Sequence, residues 1–130
     1  MKDEQVIEYT EANPLTTEER VNRLIGRAMD IIVLYGWTQD EEARFADGGR
    51  CSAWNPFAAC FCLDGAIVKA SVDLNDYAFI RHAAFQKLDL AIGPIRDVES
   101  RFTHVAWNDQ FERTVDEVVE LLSRCSTGNV

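Results

Sequence analysis

Four cysteines, Cys51, Cys60, Cys62 and Cys125, and two histidines, His82 and His104, are the side chains of this sequence best suited to hold a metal or attack a carbonyl. A structural zinc site takes four such ligands, commonly as closely spaced pairs. The tightest pair, Cys60-x-Cys62, falls in a stretch that reads as helical, where residues two apart point about 200° away from each other. Cys51 could meet Cys60 or Cys125 only through the fold. Reduced, buried thiols are therefore expected, with no metal and no cofactor. A nucleophilic cysteine, with His104 as base and Asp109 as its orienter, has the right residue types, and Cys51 is the most reachable thiol. Cys60 and Cys62 lie past a first helical turn in apolar surroundings that raise a thiol pKa, and no nucleophile elbow accompanies any of the four.

Carboxylates are the second chemical resource. Glu41, Glu42, Asp47, Asp64, Asp109 and Glu112 could supply an acid–base pair or hold a hard cation, but their spacing selects no pair. Asp64 stands alone inside an apolar stretch. A buried carboxylate is costly unless paired, so a salt link to Arg44 or Arg23 is expected. Trp37, Trp54 and Trp107, with Asn108, form an aromatic and amide set beside turns. Tryptophans there wedge helix ends into a core, and one left exposed anchors an interface. The binding candidates are thus Trp37, Arg44, Asp64, Trp107, Asn108 and Asp109. Gly48-Gly49 lacks the lysine and preceding strand of a phosphate loop.

The elements that must position these residues read as helix after helix. Residues 1–13 form an acidic N-terminal arm, 14–125 a single helical domain and 126–130 a tail. Thr16 with Glu19 makes a capping box, followed by Val21, Leu24, Ile25, Ala28, Ile31, Ile32 and Tyr35 at helical spacing, and Gly36 ends that helix. Thr38 with Glu41 repeats the box and predicts a short second helix over 39–45, before the turn at Asp47-Gly48-Gly49. Asn55 and Pro56 predict the start of a central helix over 55–70, apolar on nearly every side and hence buried. Asp73 predicts the cap of a fourth helix running to Gly93-Pro94. Residues 95–110 read as irregular, with a helical turn at 98–102 and strand-like alternation over 102–107. Thr114 with Glu117 opens a last helix. The expected fold is an all-α, compact bundle of about five helices around the buried central one, with one irregular segment before the last helix.

With 130 residues and 47% apolar content the chain can bury one core without staples. Its 13 basic against 22 acidic residues give a net charge of −9, the wrong sign for gripping nucleic-acid phosphates. A basic or nucleic-acid-binding protein partner fits better. No stretch approaches the ~18 apolar residues of a membrane span, and no targeting segment is seen, so a cytoplasmic location is expected.

Gly36-Trp37-Thr38-Gln39, Ala43-Arg44, Ala46-Asp47-Gly48, Cys62 with Gly65-Ala66-Ile67, Trp107-Asn108-Asp109, and Arg113-Thr114 with Glu117-Val118 together resemble a family of small uncharacterised bacterial and bacteriophage proteins. The resemblance runs from about Leu24 to Cys125. It departs at Phe61, where the family pattern has a tryptophan before the cysteine, and the acidic arm lies outside it. It implies a recurring small domain, often in mobile-element company, and carries over no activity or functional residue.

The expected function is an acidic protein-interaction module, in its sharper form a phage or mobile-element accessory protein that inhibits a nucleic-acid-binding enzyme by presenting carboxylates in place of phosphates. Two alternatives stand beside it. One is an enzyme using a cysteine or paired carboxylates near the links 44–54 and 104–109. The other is a homodimer joined through Val118, Val119 and Leu122.

Overall fold

A computed structural model describes residues 14–95 and 103–127. The expectations for the arm at 1–13 and the helical turn at 98–102 lie outside these residues, as does most of the tail. Five helices are described, α1 (Thr17–Tyr35), α2 (Leu63–Leu74), α3 (Ala78–Ile92), α4 (Thr103–Asn108) and α5 (Val115–Ser126), with three two-residue strands, β1 (Ala43–Arg44), β2 (Arg50–Cys51) and β3 (Cys60–Phe61). The fold is largely helical but not all-α: the strands form an antiparallel sheet in the order β2-β1-β3. No described helix is long and apolar enough to cross a membrane.

α1 and α5 follow the sequence closely. Thr16 and Thr114 each accept the N–H of the glutamate three residues on, and that glutamate returns a bond to the cap backbone. Gly36 closes α1 at φ 124°, a conformation that favours glycine. Both helices turn their apolar stripes inward, α1 against α2, α3 and α5. Each fully buried Leu or Ile in this contact contributes about 1.5–3 kcal/mol. Val118 and Leu122, the proposed dimer seam, are buried within this core beside half-buried Val119, so that face is already covered inside the monomer.

The segment between α1 and α2 departs from expectation. No helix forms over 39–45. Thr38 does not cap one, because its hydroxyl accepts Arg44 Nε at 2.8 Å, and Ala43 and Arg44 pair with β2 on one side and β3 on the other. The central helix does not begin at Asn55, whose side chain accepts only the Phe57 N–H in a local turn. The chain then returns as β3, and α2 starts at Leu63 with Cys62 as its cap. Pairing takes the place of helix here: Cys60 lies opposite Arg44 of β1, the Phe61 N–H donates to Gly36 O and its carbonyl accepts the Thr38 N–H, and Phe61 buries its ring.

Asp73 is likewise no cap. It belongs to α2, where Arg27 and Lys69 hold it at 2.9 and 3.0 Å, and α3 begins instead after Tyr77. Residues 103–108, expected to be irregular or strand-like, form the short helix α4.

Candidate functional site

The end of α4 is tied to the link after α1 and to the start of α2 by single polar side chains. Asn108, fully buried at the end of α4, uses its whole hydrogen-bonding capacity. Its Oδ1 accepts from Trp37 Nε1 at 2.7 Å and from the Leu63 N–H at 2.9 Å. Its Nδ2 donates to Thr38 O at 3.2 Å and to Asp109 Oδ1 at 2.9 Å. Gln39 reinforces the join by donating to the carbonyls of Asn108 and Gln110. Asp109 accepts the N–H of Asp40, which sits at φ 72°. Trp37, Asn108 and Asp109 therefore meet in one seam.

Asp64 begins from a different place than its sequence suggested. It lies in the first turn of α2, where the helix dipole favours an acid, and not in mid-helix. Its partner is neither Arg44 nor Arg23. Arg44 binds Thr38, Gln39 and Gly48, and Arg23 reaches Asp76 at 3.6 Å. His104 Nε2 meets Asp64 Oδ1 at 2.8 Å, while His104 Nδ1 meets Asp89 Oδ1, also at 2.8 Å. The imidazole is 2% exposed and stacks on Phe85 with centroids 4.5 Å apart. Burial opposes its charged form, but the hydrogen bonds and charges of the two aspartates outweigh it, so its pKa lies above the ordinary value. The two carboxylates thus favour the charged form of His104 between α2 and α3.

Asp89 is the residue that sequence reasoning missed. An acid in the last turn of a helix opposes the dipole, and α3 has no basic residue there. That unfavourable placement was the signal for a cationic partner from elsewhere in the chain.

Two cavities adjoin this row and share Asp64. The first, of about 220 Å³, has Asp40, Glu41, Glu42, Asp64 and Asp109 on its walls and, among the described residues, no lining cation. Cys62 and Val105 complete it. The second, of about 330 Å³, is lined by Asp64, Asp89, His104, Phe85, His82 and Gln86. Gly65 lets α2 pack tightly beneath the first cavity. A Cβ there would stand 2.1 Å from the carbonyl oxygen of Glu42, which accepts the Cys62 N–H.

Two thiols, Cys62 and Cys51, are pushed toward their neutral form. Cys62 Sγ accepts the Gly65 N–H at 3.2 Å, yet burial pushes this thiol up to about 12, with the charges of Asp64 and Asp109 acting in the same direction. Burial, then Cys60 and Glu42, push the Cys51 thiol up as well. Cys51 lies on β2 opposite Ala43 and lines neither cavity, so the set Cys51, His104 and Asp109 is not gathered into one pocket. Trp107 lies under the Arg113 guanidinium, 3.8 Å from its ring centroid, whereas Trp54 is exposed. Among the described residues, no group of three or more His, Cys, Asp or Glu side chains is placed to hold a metal ion.

No curated protein and no solved structure matches this chain. The model of the family of unknown function DUF6197 matches residues 16–127, from the first capping box to the end of α5, and the chain belongs to that family.

Proposed function

We propose that this protein is an acidic interaction module whose first cavity receives a lysine or arginine side chain of a protein partner. One observation carries the reading: five acidic residues line a cleft of about 220 Å³, and among the described residues no cation lines it. Arg50 approaches Glu41 only at 3.9 Å from a mostly exposed position, and the Arg44 guanidinium is engaged with Thr38, Gln39 and Gly48. The field of the cleft is left for an incoming cation, and the net charge of −9 steers a basic partner toward it. The same clustering supports the sharper form, in which a phage or mobile-element protein offers carboxylates to the phosphate-binding surface of an enzyme.

Affinity capture from the source cell, with wild-type chain and a Glu41→Gln/Glu42→Gln double variant, tests this. A basic protein retained by the wild type, released by salt and lost from the variant supports the reading. Identical capture by both chains refutes the cleft.

A second reading, an acid–base enzyme, is favoured by the Asp64–His104–Asp89 row, which fixes a carboxylate at the junction of two cavities. Chromogenic ester, phosphate and glycoside substrates check it. Turnover abolished by Asp64→Asn supports an enzyme, and absence of turnover across all three classes rejects it.

A further inference from the structure

The second cavity carries its own chemistry, separate from the acidic cleft. We propose that it binds a small organic cation, a primary or secondary amine on an apolar body. Its volume of about 330 Å³ lies at the lower end of ligand pockets, the size of a compact molecule and not of a protein segment.

Charge selects the ligand. Asp64 and Asp89 each present Oδ1 to the His104 ring, so two carboxylates are set against a single imidazole on the wall of this cavity. Both ring nitrogens of His104 are directed at carboxylates, so an anion in the cavity would face two acids, with His82 and Gln86 as the other polar groups on the wall. A cation is attracted by both aspartates. Gln86 on the wall offers a neutral polar group.

Shape selects the body. Phe85 lies nearly parallel to the His104 ring, with an interplanar angle of 6°, and supplies the aromatic wall. An ammonium beside an aromatic ring gains a cation–π contribution that a neutral isostere lacks. Preorganisation favours binding as well: the Asp89 carboxylate is fixed by the His104 ring and by the His104 backbone N–H at 2.9 Å, so little side-chain freedom is lost when the ligand arrives.

Three compounds of one shape test the site on the full chain: phenethylamine, phenethyl alcohol and phenylacetate, titrated with amide and side-chain NMR shifts as the readout. The amine is expected to bind about tenfold or more tightly than the alcohol, a difference of about 1.4 kcal/mol, with phenylacetate weakest. Shifts should map to Phe85 and His104, and Asp89→Asn should cost the amine its advantage over the alcohol. Equal affinities for the three, no amine binding, or shifts mapping away from Phe85 and His104 would overturn the proposal in the wild-type chain alone, whether or not the variant folds. The titration involves no protein partner, so its failure leaves the cleft reading standing, and failure of capture leaves this one standing.

Discussion

Between α1 and α5 the contact is made by many apolar side chains, each contributing a share of the burial, whereas at Asn108 four hydrogen bonds pass through one amide. The first arrangement is redundant, and loss of a methyl group leaves the other contacts intact. The second has no reserve. Removing the amide strands a buried N–H of Leu63 and the indole N–H of Trp37 together.

The largest expected effect tests that contrast. Asn108→Ala should cost about 3–5 kcal/mol in urea unfolding, since two donors lose their acceptor and a small cavity opens. Hydrogen exchange should accelerate first at the Leu63 amide and the Trp37 indole, with α1 and α5 still protected. If α1 opened equally, the two regions would be one cooperative unit and the contrast would fail.

Next comes Gly65→Ala, at about 3 kcal/mol, because its methyl would collide with the Glu42 backbone and push β1 from α2. A variant as stable as wild type would mean that the sheet yields easily.

A smaller effect follows from His104. Its folded pKa is raised above the ordinary 6.5, so its contribution is fully present below that value and is lost as pH rises through the folded pKa. The melting temperature should fall over that window, and His104→Gln should flatten the profile. An unchanged slope in the variant would assign the pH dependence elsewhere. The smallest effect is expected in the bundle, where Ile25→Val should cost about 1 kcal/mol. A loss comparable with that of Asn108→Ala would remove the distinction between the regions.

The same contrast explains what the sequence revealed. The capping boxes at Thr16 and Thr114 are followed by apolar stripes at helical spacing, so cap and stripe agree and both helices form. Thr38 and Glu41 present the same box with no such stripe behind it. There Arg44 and the strand pairing take the groups that a helix would have used. Asn55-Pro56 is also a sound local helix start, overridden because Cys60 pairs with β1 and Phe61 bonds the link after α1. The candidate site was legible in part: Trp37, Asp64, Asn108 and Asp109 were singled out by type. Their partners were not, because a link such as His104 to Asp64 joins residues 40 apart and leaves no periodic trace.

The span of the Asn108 bonds has a consequence for the chain as it is made. Trp37 lies 71 residues and Leu63 lies 45 residues before the amide that serves them. On the ribosome, α1, the strands and α2 emerge long before α4 does, and in that interval the buried amide's place must be held by water or by a chaperone. The polar seam therefore closes late, with only the docking of α5 still to follow. A nascent chain stalled before residue 108 would keep its apolar helices while leaving the Trp37 and Leu63 donors open to the cell's quality control.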